Sequence, residues 1–181
     1  MKRSGFKNKP RKPLKRTPFK RPTTLKTKRK GTQKPKPNVW AIYGLKKPPK
    51  PRFQGLQGVL WYVTSRYIRK SEFIQYKGEC VDGCGRKIER WEEADCGHFR
   101  ASSRGFCTRF VRENLGIQTK YCNNPTWSPD SAYGFSVTID KRYGKGTAER
   151  LTKLSRQTCQ EYSPNEYDRE IRLYIKLFNE L

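Results

Sequence analysis

Acidic residues are scarce and late in this chain: 16 Asp and Glu stand against 41 Lys and Arg, and none precedes Glu72. The resulting net charge of +25 over 181 residues points to a polyanionic partner, most simply nucleic acid. Long apolar runs are also missing. No stretch approaches the roughly 20 residues a bilayer requires, so no membrane span is expected. No apolar segment follows the basic residues after Met1, so no secretory signal is expected either. The basic amino-terminal portion lacks an amphipathic pattern with which to enter an anionic membrane surface, which leaves nucleic acid as the better partner. Six cysteines without a secretory signal fit a reducing, cytoplasmic setting, where thiols more often bind metal than pair as disulfides.

What is present divides the chain in two. Lys2 to Arg52 holds 20 of the basic residues, and nine of the twelve prolines lie between Pro10 and Pro51. Such a segment buries too little apolar surface to offset its ordering entropy, so residues 1–54 are expected to be a disordered basic arm. It serves either as a solubilising or localisation tail or as an arm that tracks DNA phosphates. Trp40, Ile42, Tyr43 and Leu45 interrupt the charge, as a docking segment or a base-stacking patch. Residues 55–181 are long enough for one compact domain, with a core over about 78–140 and closing helices over about 146–181.

Val59, Leu60, Val63 and Tyr67 recur on one helical face, predicting a helix from about Gln57 to Lys70. Ser163-Pro164-Asn165-Glu166 joins an N-cap, a first-turn proline and a glutamate three residues after the cap, which predicts a helix running to Leu181. A further helix is expected over Thr147 to Thr158. Between these flanks, residues 78–140 are rich in Cys, Gly, Asn and aromatics.

Cys80 and Cys84 bracket a glycine turn, and two such thiolates can reach one tetrahedral Zn²⁺. Cys122 is the third candidate ligand and Cys107 the preferred fourth, with Cys96 next; Cys159 is expected to be a small buried hydrophobe. A structural zinc suits a domain this small, because the metal contributes folding free energy. His98 is the single histidine, set in Asp95-Cys96-Gly97-His98-Phe99-Arg100, with Asn114 sixteen residues on and Asn123 directly after Cys122. It is a surface or core residue, a fourth zinc ligand, or a general base. A neutral imidazole with an asparagine to orient it can deprotonate water. Asp95 and Asn123 could hold Mg²⁺ or Mn²⁺ against a phosphodiester.

Cys80-x3-Cys84-Gly85, Asp95-Cys96-Gly97-His98-Phe99-Arg100, Thr108-Arg109-Phe110-x2-Glu113-Asn114-Leu115, Cys122-Asn123 and Arg142-Tyr143-Gly144 occur in this order. The series resembles the NinG/Rap recombination endonucleases of phages, over roughly residues 57–181. The resemblance implies an α+β fold with a small zinc-stapled ββα-metal (His-Asn-His, HNH-like) core flanked by helices. It also implies cleavage of branched DNA such as Holliday junctions. On it, His98 is the general base, Asn114 orients that base, Asn123 and Asp95 hold the catalytic ion, and Cys80, Cys84 and Cys122 bind zinc. Three positions depart from the pattern. Thr119 stands where relatives carry a cysteine, Pro125 where a histidine often follows, and Asp95 lies three residues before His98, so a regular strand would send the two side chains to opposite faces.

Arg100, Arg104, Arg109 and Arg112 flank these motifs and are candidates for phosphate contacts, or else solvated surface charge. Trp127 is a junction wedge or a cover for the zinc site, the latter preferred. Two-site cutting of a junction would call for a homodimer. The competing readings are a non-catalytic zinc-stabilised DNA- or RNA-binding module with His98 completing a Cys3His site, and an RNA-associated protein of ribosomal type.

Overall fold

A computed structural model describes residues 38–128 and 130–181. The spine is helix α2 (Gly55–Gln75), which starts two residues earlier and runs five residues further than the sequence predicts. Val59, Leu60, Val63 and Ile68 line its buried face, and the extra turn carries Glu72 into the interior. Helix α6 (Pro164–Asn179) packs along it through Tyr167 and Ile171. As predicted, α6 opens on a capping box: Glu166 N–H donates to Ser163 Oγ, and Ser163 N–H donates to Glu166 Oε2 at 2.7 Å.

The short helix α1 (Val39–Ile42) also joins this core, which corrects the expectation of disorder through residue 54. Trp40 is 2% exposed and sits edge-on to Tyr62, while Tyr43 Oη donates to Asp168 at 3.0 Å. The reason is that burying one aromatic side chain gains about 1.5–3 kcal/mol, enough to hold a short segment whose neighbours are cationic. Of the two readings for these aromatics, docking is the one observed. Residues 1–37 of the expected arm lie outside the described residues.

Strands β1 (Asp95–His98) and β2 (Leu115–Gln118) form an antiparallel pair with Asp95 opposite Gln118 and His98 opposite Leu115. The pairing is continuous, without a bulge at Gly97. The helical turn α3 (Phe106–Arg109) lies in the long connection between the strands. The cysteine turn joins the outer edge of β2, where Val81 N–H donates to the Ile117 carbonyl at 2.9 Å. Helix α4 (Ser131–Tyr143), which the sequence pattern does not announce, closes over this turn with Phe135 and Ile139 against Val81. A Cβ at Gly134 would lie 1.9 Å from the Asp82 carbonyl oxygen, so only glycine allows that approach.

Helix α5 (Thr147–Leu154) stops four residues short of the expected end, because Ser155 to Thr158 include no apolar residue to continue the buried face. Asp140 caps it, accepting from Gly146 and Ala148 N–H, and these two bonds hold the Asp140 carboxyl below its ordinary range. Among the described residues the fold is α+β, helices around one two-stranded sheet. No helix among them is long and apolar enough to cross a membrane.

Candidate functional site

His98 ends β1 with its ring stacked on Trp61 of α2, centroids 4.8 Å apart and planes 20° apart. Its Nε2 lies 3.1 Å from the Arg109 carbonyl oxygen. A carbonyl can only accept, so Nε2 carries the hydrogen and Nδ1 is left as the basic nitrogen. Burial pushes the imidazole pKa down to about 4, with the nearby Arg52 cation acting in the same direction. The ring is therefore neutral across the physiological range. It lines an open cleft of about 350 Å³ together with Arg52, Gln118, Asn123, Ser128 and Ser131.

Asn114 is fully buried and acts on His98 through the backbone rather than by touching its ring. Its Oδ1 accepts from Arg100 N–H at 2.7 Å, and its Nδ2 donates to the carbonyls of Arg100 and Thr108 at 3.0 and 2.8 Å. Its own carbonyl accepts from Phe99 N–H at 2.9 Å. One amide thus clamps the chain just after His98 to the chain just before Arg109, whose carbonyl holds the ring. Asn114 thus has no direct bond to the His98 ring; its contacts are to the Arg100 and Thr108 backbone.

Asp95 and Asn123 come together: Asn123 Nδ2 donates to Asp95 Oδ2 at 2.9 Å. They border a second recess that Arg52, Trp61 and Arg69 also line. Arg52 and Asn123 are common to this recess and to the His98 cleft. The unbroken register of β1 sends the side chains of Asp95 and His98 to opposite faces, and Asn123 spans the gap between the two openings. Under the cleft, Asp82 accepts from Gln118 Nε2 at 2.7 Å and from Ser131 Oγ at 2.5 Å, and burial raises its pKa. The Gln118 side chain lies flat across Gly97, where a Cβ would fall 1.4 Å from Gln118 Oε1.

Cys80, Cys84 and Cys122 bring their sulfurs within 4.8 Å of one another, and Cys84 and Cys122 lie 3.1 Å apart. Tetrahedral zinc at about 2.3 Å from each thiolate places ligands about 3.8 Å apart, so the three cysteines fit such an ion with small adjustment. Burial raises the Cys80 thiol, and it pushes Cys122 up to about 11, so an ion here must displace their protons. Beside the cluster, Thr119 Oγ1 accepts from Cys122 N–H at 3.1 Å. Three expectations are corrected at this site. Cys107 is not a ligand: it is joined to Cys159 in a disulfide with Cα atoms 5.2 Å apart, and Cys159 is exposed rather than a buried hydrophobe. His98 is likewise absent from the cluster, being held by Trp61 and Arg109. Cys96, the next choice, is buried in the α2 core, which pushes its thiol up to about 12.

No protein-family model, no curated protein and no solved structure matches this chain. The site is therefore read from its own chemistry.

Three of the four candidate phosphate-binding arginines are engaged within the fold. Arg112 pairs with buried Glu72 at 2.9 Å, and Arg109 donates to the Ser102 carbonyl while lying over the Phe53 ring, so both have partners inside the fold. Arg100 bonds Thr152 Oγ1 and lies over Phe99. Arg104 falls in the 3-10 turn Ser102–Arg104, its side chain outside the described residues. The cation that faces both openings is Arg52, held by Ser102 Oγ at 3.0 Å and stacked over Trp61 at 5.1 Å. Sequence reasoning missed it as one charge among the many of the arm. The adjoining Phe53, which packs edge-on to Trp61, was the available signal.

Proposed function

We propose that this protein is a metal-dependent DNA endonuclease of the ββα-metal kind, as its resemblance to NinG/Rap implies, acting on branched or duplex DNA. The observation that carries the reading is His98: a neutral imidazole tied at Nε2, basic at Nδ1, and lining a cleft beside Arg52 and Asn123. Nδ1 takes a proton from water while the water oxygen bonds to phosphorus and the P–O3′ bond breaks, the leaving 3′-oxygen taking a proton from solvent. The products carry 5′-phosphate and 3′-hydroxyl ends.

Arg52 offers the cation to a phosphate oxygen, and Asn114 keeps the base in place. Asp95 and the Asn123 amide oxygen would hold Mg²⁺ or Mn²⁺, with the Asn123 amide turned from its present orientation. That ion supplies neutralisation of charge on the scissile phosphate. Zinc on Cys80, Cys84 and Cys122 would staple the cysteine turn to the loop that carries Asn123. The +25 charge adds counterion-release affinity without sequence preference. Paired cuts across a junction would use two copies of the chain.

The test is incubation of a four-way DNA junction, a linear duplex and an RNA of equal length with the protein in Mg²⁺, with and without EDTA, beside His98→Ala. The expected result is metal-dependent cutting of DNA, greatest on the junction, abolished in His98→Ala while zinc content and DNA binding persist. A wild-type protein that cuts none of them in Mg²⁺ or Mn²⁺ would overturn it. One observation favours a second reading: the Asp95 oxygen already accepts the Asn123 amide, as in a purely structural pair. Under that reading the protein binds DNA without cutting it.

A further inference from the structure

The loop after β2 carries an aromatic group that neither the cleft nor the core uses. Trp127 is 56% exposed and Tyr121 42% exposed, and their rings lie nearly parallel, centroids 6.1 Å apart at 28°. The Arg86 guanidinium, from the cysteine turn, stands 4.2 Å from the centre of the Tyr121 ring. Trp127 therefore covers little: a cover for the zinc site would be buried, and this indole faces solvent.

The loop holds it out in a defined way. Asn124 Oδ1 accepts from Thr126 N–H at 2.9 Å, and the Asn124 carbonyl accepts from Trp127 and Ser128 N–H at 3.1 and 3.0 Å. An exposed indole fixed by its backbone loses little entropy when a flat ligand settles on it. The same short loop bears Asn123, Pro125 and Ser128, which line the His98 cleft, so whatever stacks on Trp127 lies beside that cleft.

We propose that Trp127, with Tyr121 and Arg86, forms a platform on which an unpaired base of a DNA strand stacks while the adjoining phosphates pass the cleft. Two aromatic faces with an adjacent guanidinium match the π-face and the anionic backbone of a nucleotide at once. They suit a base that has left its duplex, because bases inside a duplex are stacked on both faces. The assignment to DNA rather than another polyanion rests on the endonuclease reading above, and the platform extends that reading toward DNA with unpaired positions.

Binding measured in EDTA separates the two claims, since it needs no cutting. A fluorescein-labelled oligothymidylate and a blunt duplex of matched charge are titrated with wild type, Trp127→Ala and Trp127→Phe. Oligothymidylate should quench the tryptophan emission of wild type, Trp40 and Trp61 being buried and Trp91 half-buried against Phe178. Trp127→Ala should bind oligothymidylate roughly tenfold more weakly and the duplex nearly as before. Trp127→Phe should keep most of the affinity and lose most of the quenching. Equal oligothymidylate affinity in wild type and Trp127→Ala, or an equal loss on duplex and single strand, overturns the platform. Tighter binding of oligouridylate than of oligothymidylate overturns the assignment to DNA. A protein that stacks oligothymidylate but cuts no DNA refutes the endonuclease reading and leaves the platform standing.

Discussion

Two carboxylates meet the hairpin one register apart, and they are used in opposite ways. Glu72 is wholly buried: Arg112 donates to Oε1 at 2.9 Å, Ile117 N–H to Oε2 at 2.8 Å and Arg142 to Oε2 at 3.2 Å. Asp95, opposite Gln118 on the partner strand, accepts the Asn123 amide and borders an open recess with Arg52 and Arg69. Glu72 ties α2, β2 and α4 together with its lone pairs committed to fixed donors. Asp95 keeps room for a ligand. The contrast teaches that neighbouring arginines do not set a carboxylate's role: Glu72 is spent inside the fold, whereas Asp95 stands at an opening.

Exchanging the two carboxylates for alanine is the sharpest way to break the contrast. Glu72→Ala leaves Arg142 buried without its partner and should destabilise the fold by about 3–5 kcal/mol, read as a fall in the urea midpoint. Asp95→Ala should change that midpoint little and cut DNA cleavage by roughly a hundredfold. If Asp95→Ala is as destabilising as Glu72→Ala, the two carboxylates are alike and the contrast fails.

Asn114→Ala tests the clamp on the His98 end of the same strand. It strands the Arg100 and Thr108 backbone groups and should cost about 1–3 kcal/mol of stability, with kcat falling more than KM rises. A variant with normal kcat would show that the ring needs no such support. For the cysteine cluster, elemental analysis should find about one zinc per chain. Its removal by a chelator should lower Tm without affecting the Glu72 network.

The smallest effect is on pH. Burial disfavours the charged imidazole, so the folded pKa lies below the ordinary 6.5, and on the endonuclease proposal the neutral base is lost only as pH falls through about 4. Trp61→Ala should move that acidic limb of kcat/KM upward toward 6.5, lowering cleavage severalfold at pH 5 with little change at pH 8. An unmoved limb would assign it to another group.

The flanking helices were legible because their signals are local. The capping box at Ser163 and the apolar stripe of α2 each lie within a few turns of chain. The thiolate trio was legible from spacing and residue type. Helix α4 was not, because its buried residues Phe135 and Ile139 alternate with exposed Tyr133 and Val137, which blurs the apolar face. Glu72 and Arg52 were invisible for a different reason: each owes its role to partners far along the chain, Arg142 at one site and Ser102 at the other. Four residues, Trp40 to Tyr43, decided where the domain begins, yet the density of lysine around them governed the reading.

The Cys107–Cys159 bond encloses β2, the Asn123 loop, α4 and α5 within one covalent ring. A protease that nicks the backbone once anywhere inside that ring releases nothing. The two pieces would travel as a single species on a gel and part only after treatment with a thiol reductant, which offers a simple readout for whether the ring is closed in any given preparation.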